Sequence, residues 1–498
     1  MASSPASQLA CADTVGRVDG VAEHLERDRF RFTSAEGSVT WRRVATGHRW
    51  TIAIDEVDGM DLLAHDSADR YVSIEDERRA VTSRPRAEEH GRPYAYESLS
   101  QLFDDPKVPS MLLVPAAGFP MHGNIGNHGA LTSVQCRGMF IGAGPGIARH
   151  GWNPSHGRLI DVAPTILALL GAPHVQGRSS NGTWRSNARL LAQDGDELLS
   201  VLDPGTGPAT RVVAVVLDGC NTNLLADAID AGEVPTLAAL VSNGTGLRHG
   251  IVSSFPTVTL PNHVTAFTGV HPGRHGVINN EFLDLAANPV NLLEFAQMLR
   301  VPEYLAADVE TVHEAIARWN PDAFTAATYE YADRGASWST FSEFRAQGRP
   351  PSATADQARA TSTDWAYEAS RGYRFQSRID ESSVRSAIEQ WRGPALTAHP
   401  LPTLQLVNLG ITDDSGHASG PHGDAARAGL IDSDGRLARL FDAVASAGAS
   451  DETAVVVLSD HGMEQCDLDL LHEPWADLGP LQARLGLREV GDVFLFPA

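Results

Sequence analysis

Lysine is almost missing from this chain. Lys107 is the single one among 39 basic residues, so a bound anion must be met by arginine, histidine, backbone amides or metal. Cysteine is scarce too. Cys11, Cys136, Cys220 and Cys466 are scattered and no C-x-x-C occurs, so neither a thiolate zinc site nor a disulfide framework is suggested. No stretch reaches the roughly 18 apolar residues that a membrane-crossing helix needs. The opening MASSPASQLACADTV lacks a basic region followed by an apolar one, and does not read as a secretory signal. These absences predict a cytoplasmic, reduced protein. Positive charge is short overall. The 62 acidic residues leave a net charge of −23, which argues against non-specific binding to nucleic-acid polymers or anionic membranes.

What is present is a sizeable core. With 498 residues, 42% of them apolar, the chain can build one large α/β domain with insertions, or about two to three average domains. Three short runs read as strands: the apolar, β-branched Val212–Leu217, then Leu404–Leu409 and Thr453–Leu458. Pro235 opens a helix that Gly244 closes, and Asp424 begins a long amphipathic helix to about Gly448. Strand and helix signals alternate, which predicts an α/β fold with a mainly parallel central sheet flanked by helices. Earlier in the chain, Met111–Pro115 and Gly138–Gly142 read as strands around a glycine-rich loop, His122–Leu131. Asp161 reads as the cap of a helix that ends at Gly171. Residues 16–80 suggest mixed β structure. Residues 285–400 carry no recognisable motif and read as an insertion or cap.

Polar residues of chemical interest fall just after strands, where ligand sites lie in such sheets. Asp218 follows the first strand, although Asp-Gly alone is usually a turn. Asp413 and His417 form D-x-x-x-H, read as lying in a polar loop of residues 410–423. Asp460 and His461 follow TAVVVLS, and His128 sits in GNHGAL. Carboxylates and imidazoles are the donors that zinc-like ions take. Any one of these clusters is weak evidence, since loops are rich in Asp and His. The most specific stretch is Phe255–Asn280, FPTVTLPNHVTAFTGVHPGRHGVINN. It places two hydroxyls, Thr257 and Thr259, where a strand should hand over to a helix. The free N–H groups and positive dipole end found there suit a phosphate.

That stretch resembles the nucleophile segment of the alkaline phosphatase superfamily. The likeness is to its type I phosphodiesterase/nucleotide pyrophosphatase branch, close to phosphonoacetate hydrolase. The branch places its nucleophilic Thr before an x-Pro-Asn step, here Thr259 before Leu260-Pro261-Asn262, and an Asn past a His-Gly pair, here Asn280 past His275-Gly276. The family's ligand pattern then maps onto Asp218, Asp413 with His417, Asp460 with His461, and His128. Gly420-Pro421 also fits the D-x-x-G-H-x-x-G-P form. The likeness covers about residues 110–175 and 210–283, with shorter pieces at 405–423 and 453–463. One departure is large. The last His and the D-V-A-P-T helix, which close the family's chains, come first here. The arrangement reads as a circular permutation: residues 1–203 hold the displaced C-terminal part and a β-rich segment, and 204–210 are the joint. Residues 211–284 and 401–498 hold the nucleophile and most ligands. A fusion of two copies is the rival, but only one ligand set exists.

The resemblance implies a two-metal hydrolase whose ions, zinc with manganese or iron as alternatives, lie about 4 Å apart. Asp413, His417 and His128 would hold one. Asp218, Asp460, His461 and the Thr259 oxygen would hold the other. Thr259 would attack phosphorus, with Asn280 and the Leu260 N–H facing the non-bridging oxygen. The implied substrate is a small phosphodiester or nucleotide pyrophosphate. Phosphonate C–P hydrolysis is disfavoured by the missing lysines, phosphomonoesterase activity is third, and a sulfatase lacks its C/S-x-P-x-R motif. A non-catalytic binding protein is disfavoured because all seven ligands are kept. Thr257 is the competing hydroxyl, and Arg248, Arg274 or an arginine of the 285–400 insertion could supply positive charge.

Overall fold

The computed structural model describes residues 4–12, 18–83, 89–119, 123–347, 371–394, 396–469 and 478–498. A central eight-stranded sheet runs Trp338–Ser339, Thr325–Thr328, Leu404–Leu409, Arg211–Leu217, Thr453–Leu458, Phe140–Ala143, Gly244–Leu247, Gly151–Asn153. Pairing is parallel except where Phe140–Ala143 lies between two antiparallel neighbours. The mainly parallel sheet is thus as expected. Its central strand is buried on both faces, which is why it reads as an unbroken apolar run. Val212, Ala214 and Val216 face one core, and Val213, Val215 and Leu217 the other. Burying each of the larger of these side chains stabilises the fold by about 1.5–3 kcal/mol.

Helices cover both faces. Thr222–Asp230, Pro235–Asn243 and Asp424–Ser446 bury Leu225, Leu237, Leu430 and Leu440 in one core. Val162–Leu169 and Thr259–Thr268 bury Ile166, Val264 and Phe267 in the other. A second, wholly antiparallel seven-stranded sheet adds Phe30, Phe32 and Trp41 to that same core. It runs Leu487–Val490, Phe494–Pro497, Met111–Pro115, Val18–Glu26, Arg29–Thr33, Gly37–Thr46, Arg49–Gly59, so strands from both ends of the chain share it.

Several expectations change. Met111–Pro115 is a strand, but it belongs to this second sheet. The loop expected at 410–423 is largely a helix, Ile411–Ser419. The Asp380 carboxylate accepts from the N–H groups of Gly410 and Ile411 and so closes its first turn, a partner not evident from the local sequence. The 285–400 region is not a separable cap, because Thr325–Thr328 and Trp338–Ser339 are strands of the central sheet. Residues 348–370 and 395 of it lie outside the described residues, as do His122 of the glycine-rich loop and residues 1–3 and 13–15 of the N-terminal stretch. Asp161 stands at the expected cap position, but its carboxylate accepts from Arg158 and Asp196 instead.

Candidate metal centre

Parallel register aligns the carboxyl ends of three strands. Val216 pairs with Asn408 on one side and with Leu458 on the other. The next residues therefore emerge together: Asp218 after Leu217, Gly410 after Leu409, Ser459 and Asp460 after Leu458. The Asp218 N–H donates to Leu409 O at 3.0 Å, and the Gly219 N–H to Asp460 Oδ1 at 3.1 Å. Gly219 has φ +60°, and a Cβ there would lie 2.6 Å from Asp413 Oδ1. Only glycine lets the strand end and the helix bearing Asp413 approach so closely. On that helix Asp413 and His417 are four apart and share a face.

His128 arrives from the other half of the chain. Its Nε2 lies 3.0 Å from His417 Nε2 and 3.5 Å from Asp413 Oδ1, and its ring stacks on His461 at 3.7 Å. Thr259 opens the helix Thr259–Thr268, with Oγ1 3.4 Å from His461 Nε2. His461 Nε2 is itself 3.6 Å from Asp218 Oδ1 and 3.2 Å from Asp460 Oδ2. All seven residues expected to hold metal thus share one site. Asn280 joins them differently: its Oδ1 accepts the Leu260 N–H at 3.0 Å. That N–H is engaged, leaving the Asn280 amide NH2 as the donor of the pair. Thr257 is fully buried; its hydroxyl donates to Ala130 O and accepts from Gly129 N. Arg248 and Arg274 do not reach the site. They bind Asn223 with Val72 O, and Asp308.

The donor chemistry fits cations. His128, His417 and His461 each set Nδ1 against a backbone carbonyl, Thr257 O, Gly126 O and Gly462 O, at 2.8–2.9 Å. The tautomer that donates there turns the Nε2 lone pair inward, as in histidines that ligate metals. His128 Nε2 and His417 Nε2 face each other at 3.0 Å, close enough for both to ligate one ion. Asp218 Oδ1, Asp413 Oδ1 and Asp460 Oδ2 are buried without a hydrogen-bond partner, an arrangement that native proteins rarely keep. Burial pushes the Asp218 carboxyl well above its ordinary range, and Asp460 and Asp413 add to this. Burial raises Asp460 as well. Burial pushes His461 down to about 4, and burial with the charge of His461 holds His128 well below its usual value. His128 and His461 are therefore neutral ligands near pH 7, and Asp218 and Asp460 need a cation to stay charged.

Three residues escaped sequence reasoning. His263 lies in the same LPNH string, one helical turn after Thr259. Its Nδ1 is 2.8 Å from Glu330 Oε2, and its Nε2 faces Asp218 and Asp460. The i, i+4 spacing from Thr259 is the signal that could have found it. Burial opposes charge on His263, but the carboxylates of Glu330, Asp218 and Asp460 raise it well above its ordinary value. Glu330 and Tyr331 sit in a region with no local signal. Beside the cluster opens a cavity of about 520 Å³, lined by Phe295, Tyr329, Tyr331, Phe341 and Phe375 together with Thr259, Asp413 and His417. Among the described residues lining it there is no arginine or lysine.

The family described as "Type I phosphodiesterase / nucleotide pyrophosphatase" matches residues 212–484. An uncharacterised pyrophosphatase/phosphodiesterase of Schizosaccharomyces pombe is 24% identical over 266 residues, covering 51% of this chain and 45% of that protein. Ectonucleotide pyrophosphatase/phosphodiesterase family member 1 of Mus musculus is 24% identical over 235 residues, covering 47% of this chain and 22% of its own length. The chain thus spans less than half the length of either relative. Among solved structures, murine ectonucleotide pyrophosphatase/phosphodiesterase 5 in complex with AMP aligns at 21% identity and TM-score 0.38, covering 52% of this chain and 59% of its own. Phosphonoacetate hydrolase of Sinorhizobium meliloti 1021 aligns at 19% and 0.32, with coverage of 52% and 57%. No described helix is long and apolar enough to cross a membrane.

Proposed function

Because the chain belongs to the type I phosphodiesterase/nucleotide pyrophosphatase family, we propose that it is a metal-dependent hydrolase of small phosphodiesters or nucleotide pyrophosphates, acting through Thr259. The observation that carries this reading is the place of Thr259. Its hydroxyl stands at a helix N-terminus, on a residue that lines the large cavity, and 3.4 Å from His461 Nε2. Asp413, His417 and His128 would hold one divalent ion, and Asp218, Asp460, His461 and the Thr259 oxygen the other. Bound zinc-like ions supply the positive charge that lowers a hydroxyl pKa and stabilises charge building on oxygen. Thr259 Oγ forms a bond to phosphorus, the bond to the leaving oxygen breaks, and water later cleaves the phospho-threonine. Asn280 donates to a non-bridging oxygen from the NH2 left over by its bond to Leu260.

The aromatic wall suits an organic arm of a diester, and among the described residues lining the cavity there is no arginine or lysine to meet a second phosphate charge or a carboxylate. We read the chain order as a permutation, supported by His128 meeting His417 across 289 positions. The test compares rates on bis-p-nitrophenyl phosphate, p-nitrophenyl phosphate, a dinucleotide pyrophosphate and phosphonoacetate. The diester or the pyrophosphate should turn over fastest; a large preference for the monoester or the phosphonate would overturn the assignment.

A further inference from the structure

We propose that His263, Asp218 and Asp460 form a third divalent-cation site, with Glu330 as the buried carboxylate that sets the histidine. The proposal rests on reading the adjoining residues as a metal centre, and adds an ion that would share Asp218 and Asp460 Oδ2 with it. Asp218 has one oxygen for each side: Oδ1 lies 3.6 Å from His461 Nε2, and Oδ2 lies 3.8 Å from His263 Nε2. Asp460 Oδ2 is 3.7 Å from His263 Nε2. The three residues offer donor atoms that all lie within 4.8 Å of one another, and all three residues are buried.

An ordinary buried ion pair would close to hydrogen-bond distance, about 2.7–3.0 Å. These groups do not. His263 Nε2 has no hydrogen-bond partner although the residue is 0% exposed. Bonds of about 2.1 Å to a tetrahedral ion set ligand atoms about 3.4 Å apart, near the spacing seen here. The far side of the ring is just as specific. Glu330 Oε2 takes Nδ1 at 2.8 Å, and Glu330 Oε1 accepts the N–H groups of Tyr331 and Ala332. A metal ion between His263 and the two aspartates would displace the Nε2 proton, and a carboxylate held this way would fix the tautomer whose Nε2 lone pair faces the ion, the arrangement that supports metal-bound histidine. One imidazole and two carboxylates suit zinc or a similar borderline ion.

The test strips the full chain with chelator, reloads it with zinc, desalts it and counts ions per chain by mass spectrometry. Three are expected in the wild type and two in His263→Ala. In Glu330→Gln, which preserves shape, titration should show one ion weakened about 10–100-fold and the others unchanged. Anomalous diffraction from zinc-loaded crystals should place a peak between His263 Nε2 and the two aspartates. Two ions in both wild type and His263→Ala, with no such peak, would overturn the third site and leave the two-ion reading intact. Equal counts of three in both proteins would also overturn it. Fewer than two ions in the wild type would remove the metal centre itself.

Discussion

Replacing Thr257 by Val tests whether the hydroxyl two residues before Thr259 acts as a brace and not as a nucleophile. The side chain keeps its shape and loses one oxygen. That oxygen donates to Ala130 O at 2.8 Å and accepts from Gly129 N at 2.9 Å, inside a fully buried contact. Both partners directly follow His128 in its loop, and the Thr257 carbonyl holds His128 Nδ1 at 2.9 Å. A buried group stripped of its partner costs about 1–3 kcal/mol. With two such groups and partial relaxation, the loss is about 2–4 kcal/mol. At roughly 2.1 cal/mol/K per residue, unfolding entropy of this chain is about 1 kcal/mol/K, so Tm should fall by only about 2–4 °C. The effect on the ion held by His128 should be larger, about 10–100-fold in affinity, because the group orienting that ligand is loosened. Calorimetry and zinc titration of the same samples would measure both. Thr257→Ser restores the hydroxyl and should restore both quantities. A Val variant with unchanged Tm and zinc affinity would refute the bracing argument. A Val variant that binds zinc normally but never turns over would make Thr257 the nucleophile.

Other outcomes are expected from the same geometry. Thr259→Ala should abolish turnover while keeping the circular dichroism spectrum and Tm, and wild-type-like activity would remove Thr259 from the chemistry. Chelation should abolish activity and lower Tm, because the buried carboxylates lose their counter-charge, and zinc should restore both; a chelated protein of unchanged Tm would contradict the fit of the donor set. His313 is buried with neither ring nitrogen partnered, and burial pushes it down to about 3. The unfolded chain takes up this proton as pH falls below about 6.5 while the folded one does not, so stability is lost progressively between about pH 6.5 and 3. His313→Leu should therefore raise Tm more at pH 5 than at pH 8, and an equal change at both pH values would reject the shifted histidine.

The strands around the site were legible because burial on both faces leaves an unbroken apolar run, as in Val212–Leu217. The residues just after those runs were legible as rim positions for the same reason. Other features had no local signature. The helix at Ile411–Ser419 was hidden because its first turn is closed by Asp380, some thirty residues earlier in the chain. His263 was passed over because its partner Glu330 is set beside it only by folding.

The amino-acid sequence by itself determined the strand and helix periods, the rim positions of Asp218, Asp413 and Asp460, and the hydroxyl at a helix start. These follow from local pattern and hydrophobic burial. Only the tertiary structure decided that His128 crosses to His417, that the Leu260 N–H belongs to Asn280, and that 285–400 supplies strands and an aromatic wall. Each of these depends on contacts between residues far apart in the chain, and such contacts leave no period for a sequence to display.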